Sequence, residues 1–175
     1  ASLIADTRAL TGRAVSHLVY SHGHAGYNYG VPDWLADAQA RGESRPLVVG
    51  HRNVAARYRR YVDTAGLQAL LNGLQFRLPL APTDPRRFVA PDLAFDERLV
   101  IDGGDRTVEL LAAPSETDDT IAAWLPQERF LYGSAAVIRS MPNIGTPLRT
   151  FRDTLRWADT LERLAALRPA VLLGE

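Results

Sequence analysis

No cysteine occurs anywhere in the 175 residues, which excludes disulfides, thiolate zinc sites and a cysteine nucleophile and leaves the redox compartment open. Lysine is missing too. All 20 basic residues are arginine, which reads as coding bias in a GC-rich genome rather than as a functional arginine surface. The 20 acidic residues balance them, so no global field draws the chain onto nucleic acid or an anionic membrane, and neither is expected as a partner. Apolar runs stay far below the roughly 18 residues that a spanning helix needs, and the first residues lack a charged-then-apolar leader pattern. A cytoplasmic location is the expectation. No Pro/Gly/Ser-rich linker parts two cores, so residues 1–175 are expected to form a single domain.

With 46% hydrophobic and 23% charged residues, the composition is that of an ordinary water-soluble globular fold. Leu3, Ile4 and Leu10 are spaced for a helix over 2–13 that Gly12 stops. A short apolar strand over 15–20 is followed by a polar, glycine-bearing loop over 21–30. A helix then starts near Pro32 and Asp33 and ends at Gly42, and 46–50 is a second apolar strand. This order predicts a βαβ unit with parallel strands, whose ligand sites lie at the carboxyl ends of the strands, where the 21–30 loop begins.

Two helical segments over 53–63 and 66–71 precede a stretch carrying Pro79, Pro82, Pro85 and Pro91, expected to be an ordered surface loop. Period-two segments over 98–102 and 107–112 flank Gly103 and Gly104, and those over 121–125 and 129–132 flank Pro126, so two hairpins are expected. Thr146 and Pro147 suit the start of a helix with Leu148, Phe151, Leu155, Ala158, Leu161 and Leu164 on one face. A buried strand over 170–173 ends the pattern.

His22 and His24 stand two apart directly after the first strand, where extended backbone can aim both imidazoles at one metal ion. Two loop histidines facing solvent or bonded locally would look the same. Glu116, Asp118 and Asp119 read as a solvated turn, or as acids that hydrogen-bond loop backbone, rather than an acid/base cluster, and Arg57, Arg59 and Arg60 as an exposed helix face rather than an oxyanion pocket. Ser21 and Ser134 lack an identifiable histidine and acid to activate them, and His17 reads as a strand histidine.

The run Leu18-Val19-Tyr20-Ser21-His22-Gly23-His24-Ala25-Gly26-Tyr27-Asn28-Tyr29-Gly30 resembles the signature of the metallo-β-lactamase superfamily, a strand leading into H-x-H-x-D-H and a glycine. Val48-Val49-Gly50-His51-Arg52-Asn53-Val54, Arg57-Tyr58-Arg59-Arg60-Tyr61, Thr64-Ala65-Gly66 and Asn72-Gly73-Leu74-Gln75-Phe76 resemble the segment that follows it in alkylsulfatase-like members. Further on, Ser115-Glu116-Thr117-Asp118-Asp119 resembles a G-E-T-D-D stretch, and Leu131-Tyr132-Gly133-Ser134 an apolar run ending in G-D.

The resemblance implies an α/β fold, the αββα metallo-β-lactamase-like sandwich. Members begin with several strands before the signature, and here a single helix precedes it, so the sandwich is expected to be truncated or incomplete on its N-terminal side. Residues 1–175 would then be part of a longer chain or be completed in a complex. Members carry two zinc ions. His22 and His24 keep the first pair of metal ligands, while Gly26 stands where the signature aspartate would be and Tyr27 where its histidine would be. The third histidine would fall near Ala112, Ser134 replaces the bridging aspartate, and the last histidine would lie at or just past Glu175.

Two histidines hold an ion weakly, so no tightly bound cofactor and no catalytic residue is assigned, and zinc is the ion a functional residual site would take. His51, Asp118 or Asp119 could approach to rescue a single-metal site. The leading expectation is a degenerate, non-catalytic domain acting as a structural or binding partner in a homo- or hetero-oligomer, with room for a small-molecule ligand. The alternative is a divergent metal-dependent hydrolase of a small ester, lactone, thioester or sulfate ester that uses His22 and His24.

Overall fold

The computed structural model describes residues 2–140, 142–145 and 150–175. Helix α1 (Ser2–Thr11) ends at Gly12, whose φ of 62° terminates it in the left-handed region. Strand β1 (His17–Val19) leads through the 20–30 loop into α2 (Val31–Ala40), with Pro32 in the first turn, where a missing N–H is harmless. Strand β2 (Leu47–His51) pairs parallel with β1, so the expected βαβ unit is present. Arg8 fastens α1 to Asp37 of α2 at 2.8 Å and to Glu43, three residues beyond that helix, at 2.7 Å.

Helices α3 (Asn53–Asp63) and α4 (Ala65–Phe76) follow, then a 3-10 turn at Pro85–Arg87. Strand β3 (Leu93–Phe95) pairs parallel with β2 and completes a three-stranded sheet ordered β1-β2-β3. The proline-bearing stretch therefore ends in a strand, which its composition did not announce. Strands β4 (Arg98–Asp102), β5 (Thr107–Ala112), β6 (Ile121–Leu125) and β7 (Phe130–Ser134) form an antiparallel meander, and β8 (Val171–Gly174) adds parallel to β7.

Alternation along the strands sorts the core into three layers. Val49 and Phe95 from the first sheet meet Leu110 and Ile121 from the second, filling the space between them. Val48, one residue from Val49 and on the other face, packs with Tyr20, Val31, Val54 and Tyr58 beneath α2 and α3. Ala122, Trp124 and Leu131 turn outward from the second sheet onto Leu164 of α5 (Thr154–Ala166). Helices, sheet, sheet and helix thus stack in the αββα order. Each buried large side chain contributes about 1.5–3 kcal/mol relative to exposure.

Three expectations need correction. Helix α5 begins at Thr154, where Asp153 caps it by accepting from Arg156 N at 3.0 Å. Residues 150–153 are not helical, and the expected start at Thr146 and Pro147 lies outside the described residues. Strand β8 is exposed, with Val171, Leu172 and Leu173 each about half accessible, because it is the edge of its sheet and has a neighbour on one side. Arg57 is buried, whereas Arg59 and Arg60 are exposed as expected. Among the described residues, no helix is long and apolar enough to cross a membrane.

Candidate metal centre

Strand polarity gathers one edge of both sheets into a single place. The loop after β1, the loop between β5 and β6, and the ends of β7 and β8 all open on that edge. A bond from Ile121 N to Ser21 O at 2.9 Å stitches the first loop to the second.

His22 is almost completely buried, and its ring lies 4.9 Å centroid to centroid from that of His24. Ser21 Oγ engages His22 Nδ1 at 3.0 Å, which leaves Nε2 as the nitrogen available to an ion. Burial, reinforced by the neighbouring His24, holds the His22 pKa below its ordinary value against the opposing pull of Glu175, Glu116 and Asp119, so its ring is neutral near pH 7. A metal requires that state of the ligand.

The third member is Glu116. Its Oε2 lies 3.2 Å from His24 Nδ1, and one ligand atom from each of His22, His24 and Glu116 falls within 4.8 Å of the others. The contact to His24 lacks hydrogen-bond alignment, and Oε2 is buried with no hydrogen-bond partner among the described residues. Arg152 meets the charge at Oε1, so Oε2 is the oxygen of this carboxylate left open toward the histidines, and a buried acceptor without a hydrogen bond is costly. Two imidazoles and one carboxylate are a ligand set that zinc accepts, with a fourth position left for water. The residues present therefore fit one divalent ion.

Glu116 is not a solvated turn residue, and neither is Asp119, which has no exposed surface. Arg152 donates to both the backbone oxygen and Oε1 of Glu116. Asp119 accepts from Arg57 Nε at 2.7 Å and from Thr117 Oγ1 at 2.5 Å. Burial alone would raise the Asp119 carboxyl, but Arg57 and Thr117 outweigh it and hold its pKa below the ordinary range. The Asp118 side chain is more than half exposed, yet it also accepts from the Arg57 guanidinium and from Asn53 Nδ2 at 3.1 Å.

Neither His51 nor His17 joins the centre. His51 Nδ1 accepts from Asn53 N at 3.2 Å, and its Nε2 faces Asp96 at 4.0 Å. His17 starts β1, at the opposite end of that strand from the loop carrying His22, and contacts Ser16 Oγ. Gly26, Tyr27 and Ser134 stand where the resemblance places second-site ligands. Of these, Ser134 is buried at the end of β7, and the Tyr27 ring lies 4.3 Å from that of His22. Two hollows of about 440 and 410 Å3 meet at the centre and share His24, Tyr61, Gln68, Glu116 and Arg152.

No family model matches the chain. Its structure aligns over 99% of its length with a stereoselective inverting sec-alkylsulfatase from Pseudomonas sp., at a TM-score of 0.72 and 21% identity. A metallo-β-lactamase from Pontibacter korlensis aligns over the same share at 0.60 and 17%. The chain has the metallo-β-lactamase fold. A further structure with that overlap, solved in a di-iron-bound form, gives 0.67 and 15%. Among curated proteins, a linear primary-alkylsulfatase of Pseudomonas sp. is 26% identical over 98% of the chain. This metallo-β-lactamase-fold chain spans 36% of that relative, 31% of the sec-alkylsulfatase, 66% of the Pontibacter protein and 75% of the di-iron protein.

Proposed function

We propose that this domain binds one divalent cation, zinc by ligand chemistry, on His22, His24 and Glu116, and that it is a divergent one-metal hydrolase of a small ester, lactone, thioester or sulfate ester. The observation that carries the reading is the convergence of His22, His24 and the buried Glu116 Oε2, which makes no hydrogen bond among the described residues and faces the histidine pair. Bound there, the ion would supply a Lewis acid and a water of lowered pKa. The protein's own contribution is to keep His22 neutral, to hold Glu116 through Arg152, and to leave hollows beside His24 in which a small substrate can lie. Relatives that act on alkyl sulfates support the ester class.

A second reading, a non-catalytic binding or structural domain, is favoured by Gly26, Tyr27 and Ser134, which bring neither a carboxylate nor an imidazole to a second ion. One experiment separates the two. The protein is purified without chelator and dialysed, its metal is measured by mass spectrometry, and its hydrolysis of the four ester classes is assayed with and without added zinc. One ion per chain with hydrolysis supports the enzyme, and one ion without turnover the binding domain. A protein that stays metal-free in excess zinc refutes the centre.

A further inference from the structure

Three ligands form a site only if the two loops that carry them keep a fixed separation. Nothing in the covalent chain enforces this, since His22 and His24 follow β1 and Glu116 lies between β5 and β6. Packed between those loops is an ion pair that coordinates nothing. Asp119 is wholly buried, and the Arg57 side chain is 8% exposed. The pair meets at 2.7 Å, and Thr117 Oγ1 closes the remaining Asp119 oxygen at 2.5 Å.

The pair lies directly against the histidine loop. A Cβ built on Gly23, the residue between the two histidines, would stand 2.5 Å from Asp119 Oδ2 and 3.0 Å from Arg57 Cδ. Any side chain at Gly23 would therefore drive the ion pair and the histidines apart. Helix α3 holds the loop from a second point: Asn28 Nδ2 donates to His22 O at 2.8 Å and to the hydroxyl of Tyr58, the neighbour of Arg57, at 2.7 Å. Asp119 sits three positions after Glu116, in the turn that Thr117 and Thr120 close through their hydroxyls at 2.8 Å.

We propose that Arg57 and Asp119 are positioning residues that set the distance between the His22/His24 pair and Glu116, with Gly23 the clearance that lets them do so. This inference rests on the one-metal reading of the centre. Arg57 donates from Nε to Asp119 and from Nη2 to Asp118, so its planar guanidinium is clamped between two successive carboxylates and fixes an angle as well as a separation. An apolar replacement of equal volume would fill the space without that direction, and buried pairs can often be replaced in this way without loss of stability.

The test compares Asp119→Asn, Gly23→Ala, the double variant R57M/D119L and the exposed control Asp105→Asn in the turn between β4 and β5. Each is titrated with Co2+ while the visible spectrum is recorded, and thermal unfolding is followed without metal. We expect D119N, G23A and the double variant to bind Co2+ about 10–100-fold more weakly, the usual cost of losing a group that orients ligands, with an altered spectrum. D105N should stay within about twofold of the parent, since the Asp105–Arg106 pair is exposed on both sides and a screened surface ion pair contributes little. The double variant discriminates: if it melts at or above the parent temperature yet binds weakly, the role is positioning rather than structural.

Parental affinity and spectrum in D119N or G23A, or full recovery in the double variant, would overturn the proposal. Failure of the parent protein itself to bind Co2+ would overturn the one-metal reading instead. The histidine ring resonances of the metal-free protein then decide the positioning claim alone, which requires those of His22 and His24 to move in D119N and G23A and to hold in D105N.

Discussion

Asn28 and Tyr58 meet at 2.7 Å, and the same amide nitrogen of Asn28 reaches back 2.8 Å to the carbonyl of His22. Both hydrogens of one NH2 group are thus spent holding the histidine loop onto α3. Asn28→Ala strips a partner from both acceptors, and leaving buried acceptors unmet costs about 1–3 kcal/mol. Chemical denaturation should show that loss, with Tyr58→Phe losing less because His22 O keeps its donor.

Acid should weaken the metal-free protein earlier than carboxylate chemistry would. The His22 pKa lies below its unfolded value because of burial and then His24, so the unfolded chain takes up a proton that the folded one refuses. Stability is therefore complete above the unfolded histidine value of about 6.5 and is lost as pH falls below it. Denaturation midpoints at about pH 7.5 and 5.5 should differ, and His22→Gln should shrink the difference, since it removes the group with the unfolded value near 6.5. A difference unchanged in that variant would place the effect elsewhere.

Breaking the buried pair is expected to be severe. Arg57→Ala leaves Asp119 buried without a counter-charge, its bond from Thr117 Oγ1 alone remaining, at a cost of about 3–5 kcal/mol. Asp105→Ala, at a pair with Arg106 that is more than half exposed on both sides, should cost under about 1 kcal/mol. Equal losses in the two variants by urea denaturation would contradict the burial contrast.

Much of this layout can be read from the residues. Alternation and glycine placement locate β1, α2, β2 and the two hairpins to within a few positions, because each is fixed by its own local pattern. Strand β3 escapes because three residues behind Pro91 carry no period, and only parallel pairing to β2 makes them a strand. The true start of α5 is set by Asp153, one capping candidate among several. At the centre, His22 and His24 are legible as a pair, whereas Glu116 stands in an acidic run that imitates a solvated turn. Its one signal was its place in the stretch resembling G-E-T-D-D. Burial of Arg57 could not be inferred from its helix, since the cause is an aspartate far along the chain.

Exposure of β8 makes a contrast that core truncations can check. Leu131 on β7 is 1% accessible and Leu172 on β8 is 53%. Leu131→Ala should cost about 2–5 kcal/mol, whereas Leu172→Ala should stay within about 0.5 kcal/mol, as surface changes do. A large loss at Leu172 would mean that another surface covers β8 in solution.

Association is the expected behaviour of the apolar surfaces left open. Leu67, Leu70 and Leu74 of α4 are each more than half exposed, a grouping that soluble monomers seldom present. Light scattering at micromolar concentration should give a mass above that of one chain, and Leu70→Asp with Leu74→Asp should lower it. A monodisperse monomer would dismiss the expectation.

The split between a parallel sheet and a meander also sets an order of assembly. Strands β4 to β7 each bond to the next in sequence, so that half closes through short loops and can form early. The sheet of β1, β2 and β3 needs two long crossovers, which cost more loop entropy and come later. His22 and His24 belong to the late half and Glu116 to the early one. The centre thus comes into being at the docking of the two halves, and an ion that grips all three ligands would act as a latch, slowing their separation and raising the unfolding barrier as its concentration rises above the dissociation constant.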